Sequence, residues 1–340
     1  MPIQILDGGL GTSLEQKYSV KFDRSTPLWS SHLLVSDPEV LQRCQSDFGR
    51  VPVDILLTAT YQVSIKAFQD TKTANYPDGI PRERISQFLE TALQVGEAAK
   101  HSAKLALSIG PYGACMIPSQ EYSGQYDADH DSEQALLQWH QERMALFAQI
   151  QNIESRVAYL SLETIPRKDE IIAMRKAVAS TPVLSGIPFW MSCLYPNDDG
   201  KLPDGTEAED AVAAMLDPAV SDAVPWGVGV NCTKVWKLDA LLKVYESCVR
   251  KMVESGKLQE WPALVLYPDG TNGEVYNTKT QQWEVPDDEK GIGRVSWEEQ
   301  LASVVQATEK RGEWKEIMVG GCCMARSEDI ERLRTRLVKE

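Results

Sequence analysis

A chain of 340 residues, 43% hydrophobic and 25% charged, has the balance of a globular protein and is long enough to bury a large core. Its 49 acidic residues against 35 Lys and Arg leave a formal net charge of −14, a surface that repels phosphate backbones and argues against a nucleic-acid partner. No window approaches about 18 uninterrupted apolar residues, and Met1-Pro2-Ile3-Gln4 is not a basic region ahead of an apolar one, so neither a membrane span nor a secretory signal is expected.

In chain order, eight short apolar runs alternate with helical patterns. The runs are Ile3–Gly9, Asp54–Thr60, Leu105–Gly110, Tyr159–Thr164, Pro188–Cys193, Trp226–Cys232, Ala263–Asp269 and Glu316–Cys323. Most are almost continuously apolar, as strands covered on both faces should be. Between them, Ser36 and Glu39 fit a capping box ahead of Val40, Leu41, Cys44 and Phe48. Pro81 precedes a stripe of Ile85, Phe88, Leu89, Ala92 and Ala99. Leu136, Trp139, Phe147 and Ile150 form another stripe, with Arg143 as its polar exception. Leu238, Leu241, Leu242, Tyr245, Val249 and Met252 make the clearest one. Ser296 and Glu299 suggest a second capping box, and the last helix begins near Ser327.

Eight strand–helix units without a composition break predict an α/β fold, a (β/α)₈ TIM-type barrel, with residues 1–340 forming one domain. An open doubly wound sheet would need edge strands, and no run looks like one. The long polar stretches Tyr112–Asp131, Leu194–Asp210 and Gly270–Gly293 all follow strands, so they belong to the face where barrel active sites are built.

Seven cysteines, an odd number thinly spread, suit reduced thiols in the cytosol. Cys44 and Cys248 fall on helices and Cys115 in a loop, whereas Cys193, Cys232, Cys322 and Cys323 end strand runs and can meet at one mouth. Several thiols in one mouth indicate zinc, provided they are not merely small buried hydrophobes. Three thiolates leave a zinc centre at about −1, which blunts its power to ionise water and suits a thiol substrate instead. Binding lowers that thiol's pKa from roughly 8.5 and presents a thiolate at neutral pH. Such a nucleophile wants a cationic electrophile, and methyl transfer from a sulfonium or ammonium donor fits. With only His32, His101, His130 and His140, proton-shuttle chemistry has few places to sit.

Seven segments, read together, then point to a family. They are Asp7-Gly8-Gly9-Leu10-Gly11-Thr12-Ser13-Leu14-Glu15, Thr58-Ala59-Thr60-Tyr61-Gln62, Gly110-Pro111-Tyr112-Gly113-Ala114, Glu121-Tyr122-Ser123-Gly124-Gln125-Tyr126, Glu163-Thr164-Ile165-Pro166, Gly229-Val230-Asn231-Cys232-Thr233 and Gly320-Gly321-Cys322-Cys323. In this order they resemble the homocysteine S-methyltransferase family over nearly the whole chain. The resemblance implies a zinc-dependent barrel that methylates homocysteine to methionine, with Cys232, Cys322 and Cys323 as ligands and Cys193 outside the set. It also implies that Asp7 and Glu163 bind the homocysteine ammonium group, with Gly8 beside them and Trp29 near the methyl donor. Without it, Asp7 reads equally well as a helix cap and Glu163 as a surface residue.

The Gly110 and Glu121 segments resemble the branch that uses S-methylmethionine or S-adenosylmethionine. Sulfonium methyls favour ring faces, which Trp29, Tyr61 and Tyr112 can offer unless they pack in the core. After the cysteine pair, Met324-Ala325-Arg326-Ser327 departs from the family pattern and leaves Arg326 as a substitute for holding the substrate carboxylate. Extra residues also stand around Gly270-Thr271-Asn272-Gly273. The expected partners are small-molecule substrates, and the sequence speaks to no oligomeric state. Other readings are methylation of selenocysteine or another thiol, and a catalytically silent zinc- or thiol-binding homologue. A nucleotide-binding oxidoreductase is weak, because Gly8-Gly9-Leu10-Gly11 does not match G-x-G-x-x-G.

Overall fold

The structure, a computed structural model, describes residues 1–23, 25–277, 282–285 and 295–338. Its main sheet has eight parallel strands: β1 (Ile3–Ile5), β2 (Ile55–Leu57), β3 (Lys104–Ile109), β4 (Tyr159–Ile165), β5 (Phe189–Cys193), β6 (Gly227–Asn231), β7 (Ala263–Tyr267) and β10 (Ile317–Val319). Strands β2 to β7 lie side by side in chain order, β10 follows β7, and β1 pairs with β10. A parallel bridge between Leu6 and Ile55 joins the two ends, and the Asp54 N–H donates to the Ile5 carbonyl at 2.7 Å. The sheet therefore closes on itself with helices around it, the (β/α)₈ arrangement expected from the alternating runs.

Alternation along the strands divides the interior into two regions. Leu6, Ile55, Ala106, Tyr159, Trp190, Val265, Tyr267 and Met318 pack together inside the barrel, while the other strand faces join the helices in a larger core. Two residues beyond the apolar filling, the same inward rows carry Ser108, Ser161 and Ser192, all buried. One more step along β4 is Glu163. The polar floor of the site is thus the continuation of the apolar plug.

The helices follow their stripes, with two corrections at their starts. Helix Pro38–Arg50 is capped by Asp37, whose carboxylate accepts the Val40 N–H at 3.1 Å. Ser36 instead turns back to the His32 carbonyl at 3.2 Å, because Pro38 starts the helix one step later than a Ser36 cap requires. Ser296 precedes helix Trp297–Arg311 but makes no side-chain cap. The final helix, Ser327–Leu337, begins where expected. A short antiparallel pair, β8 (Val275–Asn277) with β9 (Gln282–Glu284), occupies part of the stretch read as the Gly270–Gly293 loop. Residues 278–281 and 286–293 of that stretch lie outside the described residues. Among the described residues, no helix is long and apolar enough to cross a membrane.

Candidate metal and substrate site

Cys232 follows β6 and the Cys322-Cys323 pair follows β10, with β7 between them. The three sulfurs lie within 4.8 Å of one another. Two backbone features bring them together. Gly320 packs against the Leu6 and Asp7 carbonyls, where a Cβ would collide with both, so the chain can bend toward β1. The bend is held by the Gly321 N–H on the Asp7 carbonyl at 2.9 Å and the Cys322 N–H on the Pro268 carbonyl at 2.8 Å. At Cys232 itself the backbone turns left-handed, with φ 47°. Thr164, at φ 61°, does the same at the end of β4, an uncommon conformation for a β-branched residue.

Thr164 and Asn231 are reciprocally bonded: the Thr164 N–H donates to Asn231 Oδ1 at 2.9 Å, and Asn231 Nδ2 donates to Thr164 Oγ1 at 2.7 Å. The same amide nitrogen lies 3.2 Å from Cys232 Sγ. Cys193 does not join the cluster. It is fully buried in the core between sheet and helices, where desolvation pushes its thiol up.

The three sulfurs face a cleft that opens to solvent and is lined by residues from several strand ends. This donor set fits zinc, since soft sulfur ligands select it and three protein ligands leave one position for a substrate. Cys232 and Cys322 are joined here as a disulfide, with Cα atoms 5.5 Å apart. A pair so joined has no thiolates to donate, so the reduced protein is the metal-competent one.

Asp7 and Glu163 line the same cleft and are 3% and 5% exposed, so neither sits at the surface. Asp7 does not cap helix Leu10–Tyr18, which starts from Gly9 without a side-chain cap. Its Oδ2 instead accepts the Leu57 N–H at 2.8 Å, while Oδ1 has no protein partner. Ser108 donates to Glu163 Oε1 at 2.5 Å. Burial pushes the Glu163 carboxyl up to about 7. Asp7 is raised by the same desolvation and, to a lesser degree, by repulsion from Glu163. Two desolvated acids line this cleft, and one of them keeps an acceptor atom without a protein partner, an arrangement with the chemistry to attract a cationic group.

Gly8, Trp29 and Tyr61 also line the cleft. Gly8 has no room for a side chain beside the Ala325 carbonyl, and a Cβ on Gly11 would strike the Trp29 ring. Tyr112 is a correction. Its ring stacks on His130 at 4.2 Å and its hydroxyl bonds to Asp127, which leaves it outside the cleft lining. Arg326 is another, because it caps the final helix with Asp329 and does not line the cleft.

Three features escaped sequence reasoning. Glu121 and Tyr122, read only as part of a segment, both line the cleft. Burial pushes the Glu121 carboxyl up to about 7. Arg143, the polar exception on its helix, is buried and donates to the Gly110 and Tyr61 carbonyls, each at 2.5 Å. Its place on an apolar stripe was the available signal. Beside it, Glu170 accepts from the Tyr112 N–H at 2.6 Å and faces His140 Nε2 at 2.9 Å.

The family model for homocysteine S-methyltransferases matches residues 4–337. The chain belongs to that family. Among curated members, it is 27% identical to homocysteine S-methyltransferase 1 of Arabidopsis thaliana, over 94% of this chain and 88% of that one. It is 28% identical to the betaine-homocysteine S-methyltransferase of Drosophila melanogaster, over 98% and 93%. The crystal structure of the oxidized form of the homocysteine methyltransferase MmuM from Escherichia coli has the same fold, with a TM-score of 0.69 and 24% identity over 98% of this chain and 96% of that one. The three cysteines at the mouth of this barrel are a candidate metal-binding set.

Proposed function

We propose that this protein transfers a methyl group from a sulfonium donor, S-methylmethionine or S-adenosylmethionine, to homocysteine, giving methionine. The observation that carries the reading is the meeting of Cys232, Cys322 and Cys323 beside two buried carboxylates in one cleft. Zinc, held by these three cysteines in their reduced form, would lower the pKa of the homocysteine thiol and supply it as a thiolate at neutral pH.

The remaining work belongs to side chains of this chain. Asp7 and Glu163 bind the homocysteine ammonium group, and Gly8 keeps the chain close enough for the amino acid to lie against it. Asn231 holds Cys232, and Trp29 and Tyr61 offer ring faces to the sulfonium methyl. In the transfer, a new bond forms between the homocysteine sulfur and the methyl carbon. The bond from that carbon to the donor sulfur breaks, and its electron pair stays on the departing thioether. Positioning supplies much of the rate, because sulfur, carbon and sulfur must lie in line. No general base is required once the thiol is ionised, and no histidine lines the cleft.

Residues 1–340 act in this reading as one homocysteine-binding barrel in the cytosol, where thiols stay reduced. The test is a methyl-transfer assay on homocysteine with S-methylmethionine, S-adenosylmethionine and betaine in parallel, zinc being measured in the same reduced sample. Methionine formed from a sulfonium donor by zinc-loaded protein supports the proposal. Turnover with betaine alone, or full activity without metal, overturns it.

A further inference from the structure

Two of the carboxylates in the cleft are accounted for by the homocysteine ammonium group, and a third is not. Asp7 and Glu163 sit deep, at the ends of β1 and β4. Glu121 reaches the same cleft from the loop after β3 and is only half-buried as a residue. Its Oε2 is nonetheless shielded from solvent and has no hydrogen-bond partner. Among the described residues Glu121 forms no salt bridge, and Ser119 and its own backbone N–H are its only hydrogen-bonding support. A carboxylate oxygen kept from water without a donor is costly unless a ligand completes it. Around it stand aromatic rings. Tyr61 packs edge-on against Gly110, where a Cβ would strike it, and Tyr122 lies 46% exposed at the rim.

Gly113 lets this loop approach so closely. A Cβ there would meet the Glu121 nitrogen and the Tyr126 ring, each at less than 3 Å. The loop is fixed from beneath by the Gln120 N–H on the Gly113 carbonyl at 2.8 Å. The backbone that carries Glu121 is therefore held in place by a built turn.

We infer that the Glu121 carboxylate is the countercharge for a cationic methyl donor at the rim of the cleft, selecting a sulfonium over its neutral thioether. This rests on the sulfonium reading above and deepens it. The donor carries its positive charge when it binds and loses it as the methyl leaves, since the electron pair of the broken carbon–sulfur bond stays on the donor sulfur. Attraction to Glu121 is thus strongest in the ground state, weaker in the transition state and absent in the product. An interaction of that kind raises donor affinity without retaining the thioether and without accelerating the transfer.

The test uses the full-length, zinc-loaded, reduced protein and the neutral isostere Glu121→Gln. With S-methylmethionine varied at saturating homocysteine, the expected result is a donor KM raised about tenfold, equivalent to about 1.4 kcal/mol. The kcat should stay the same or rise, and the homocysteine KM should not move. Glu121→Asp should recover part of the loss, which a merely structural role would not predict. A donor KM within twofold of wild type overturns the inference, as does a homocysteine KM shifted by the same factor.

Failure of the sulfonium reading is separately visible as wild-type protein with no turnover on either sulfonium donor. In that case, equilibrium binding of S-methylmethionine and methionine still decides the matter. Wild type must prefer the sulfonium, and both Glu121→Gln and Glu121→Asp must narrow that preference, the aspartate less. Equal binding of the two ligands by wild type overturns the inference even if Glu121→Gln fails to fold.

Discussion

Thr164 and Asn231, at the ends of β4 and β6, exchange two hydrogen bonds of 2.9 and 2.7 Å, and this clasp sets Cys232 at the mouth of the barrel. Asn231 is fully buried, and its amide nitrogen stands 3.2 Å from the Cys232 sulfur. Removing the amide leaves the Thr164 groups unpaired in a dry site, at a cost of about 1–3 kcal/mol. Asn231→Ala should therefore lower the unfolding free energy by that amount. It should also weaken zinc binding about tenfold or more, as loss of a group orienting a ligand does. Denaturant unfolding and a chelator competition read the two effects.

The three sulfurs form one unit, so Cys232→Ala, Cys322→Ala and Cys323→Ala should each lose zinc and activity together. Cys193→Ala is the control. It should keep stoichiometric zinc and lose about 1 kcal/mol of stability, since it removes one small group from a packed core. Metal analysis of the four variants, all reduced, separates ligand from core cysteine. Zinc loss from Cys193→Ala would redraw the site.

Burial raises both Asp7 and Glu163, with Glu163 reaching about 7. The ammonium of homocysteine binds the ionised carboxylates, so its KM should rise as pH falls below about 7. Glu163→Gln should flatten that dependence while raising the KM at every pH. In the ligand-free protein the sign for stability is opposite to that of a salt-bridged acid. An acid with a raised folded pKa favours folding while it is protonated, and that advantage is lost as pH climbs from the unfolded value near 4.5 through about 7. Glu163→Gln should thus stabilise the ligand-free protein above pH 7, by on the order of 3 kcal/mol. Thermal melts from pH 5 to about pH 8 with and without homocysteine check it.

Arg143 ties the ends of β2 and β3 together from the outer helix by donating to the Tyr61 and Gly110 carbonyls. Arg143→Met keeps the apolar stem and removes the donors, leaving buried carbonyls unpaired. The expected loss is about 3 kcal/mol of stability, with a raised donor KM because the Tyr61 ring lines the cleft. Unfolding curves and donor titration in the same preparation test both parts.

Much of the fold was legible in the linear chain because a buried parallel strand announces itself as a short apolar run, and eight of them alternated with helical stripes. Cap positions were read less well. Pro38 moved one helix start from Ser36 to Asp37, a choice made by backbone geometry one residue away from the apparent motif. The rows of Ser108, Ser161 and Ser192 were hidden inside runs of which most read as almost continuously apolar.

The sequence by itself determined the barrel and a shortlist of strand-end cysteines and acids. Only the tertiary structure decided which members of that shortlist meet. Cys193 pairs in register with Val230 and, like it, points outward into the helix-facing core. Strict alternation would send Cys232, two residues beyond Val230, the same way. The left-handed turn at Cys232 breaks the alternation and aims its sulfur into the cleft, next to the pair from β10. That turn is sustained by contacts from Thr164 and the neighbouring strands, far away along the chain, and no local pattern of residue types encodes it.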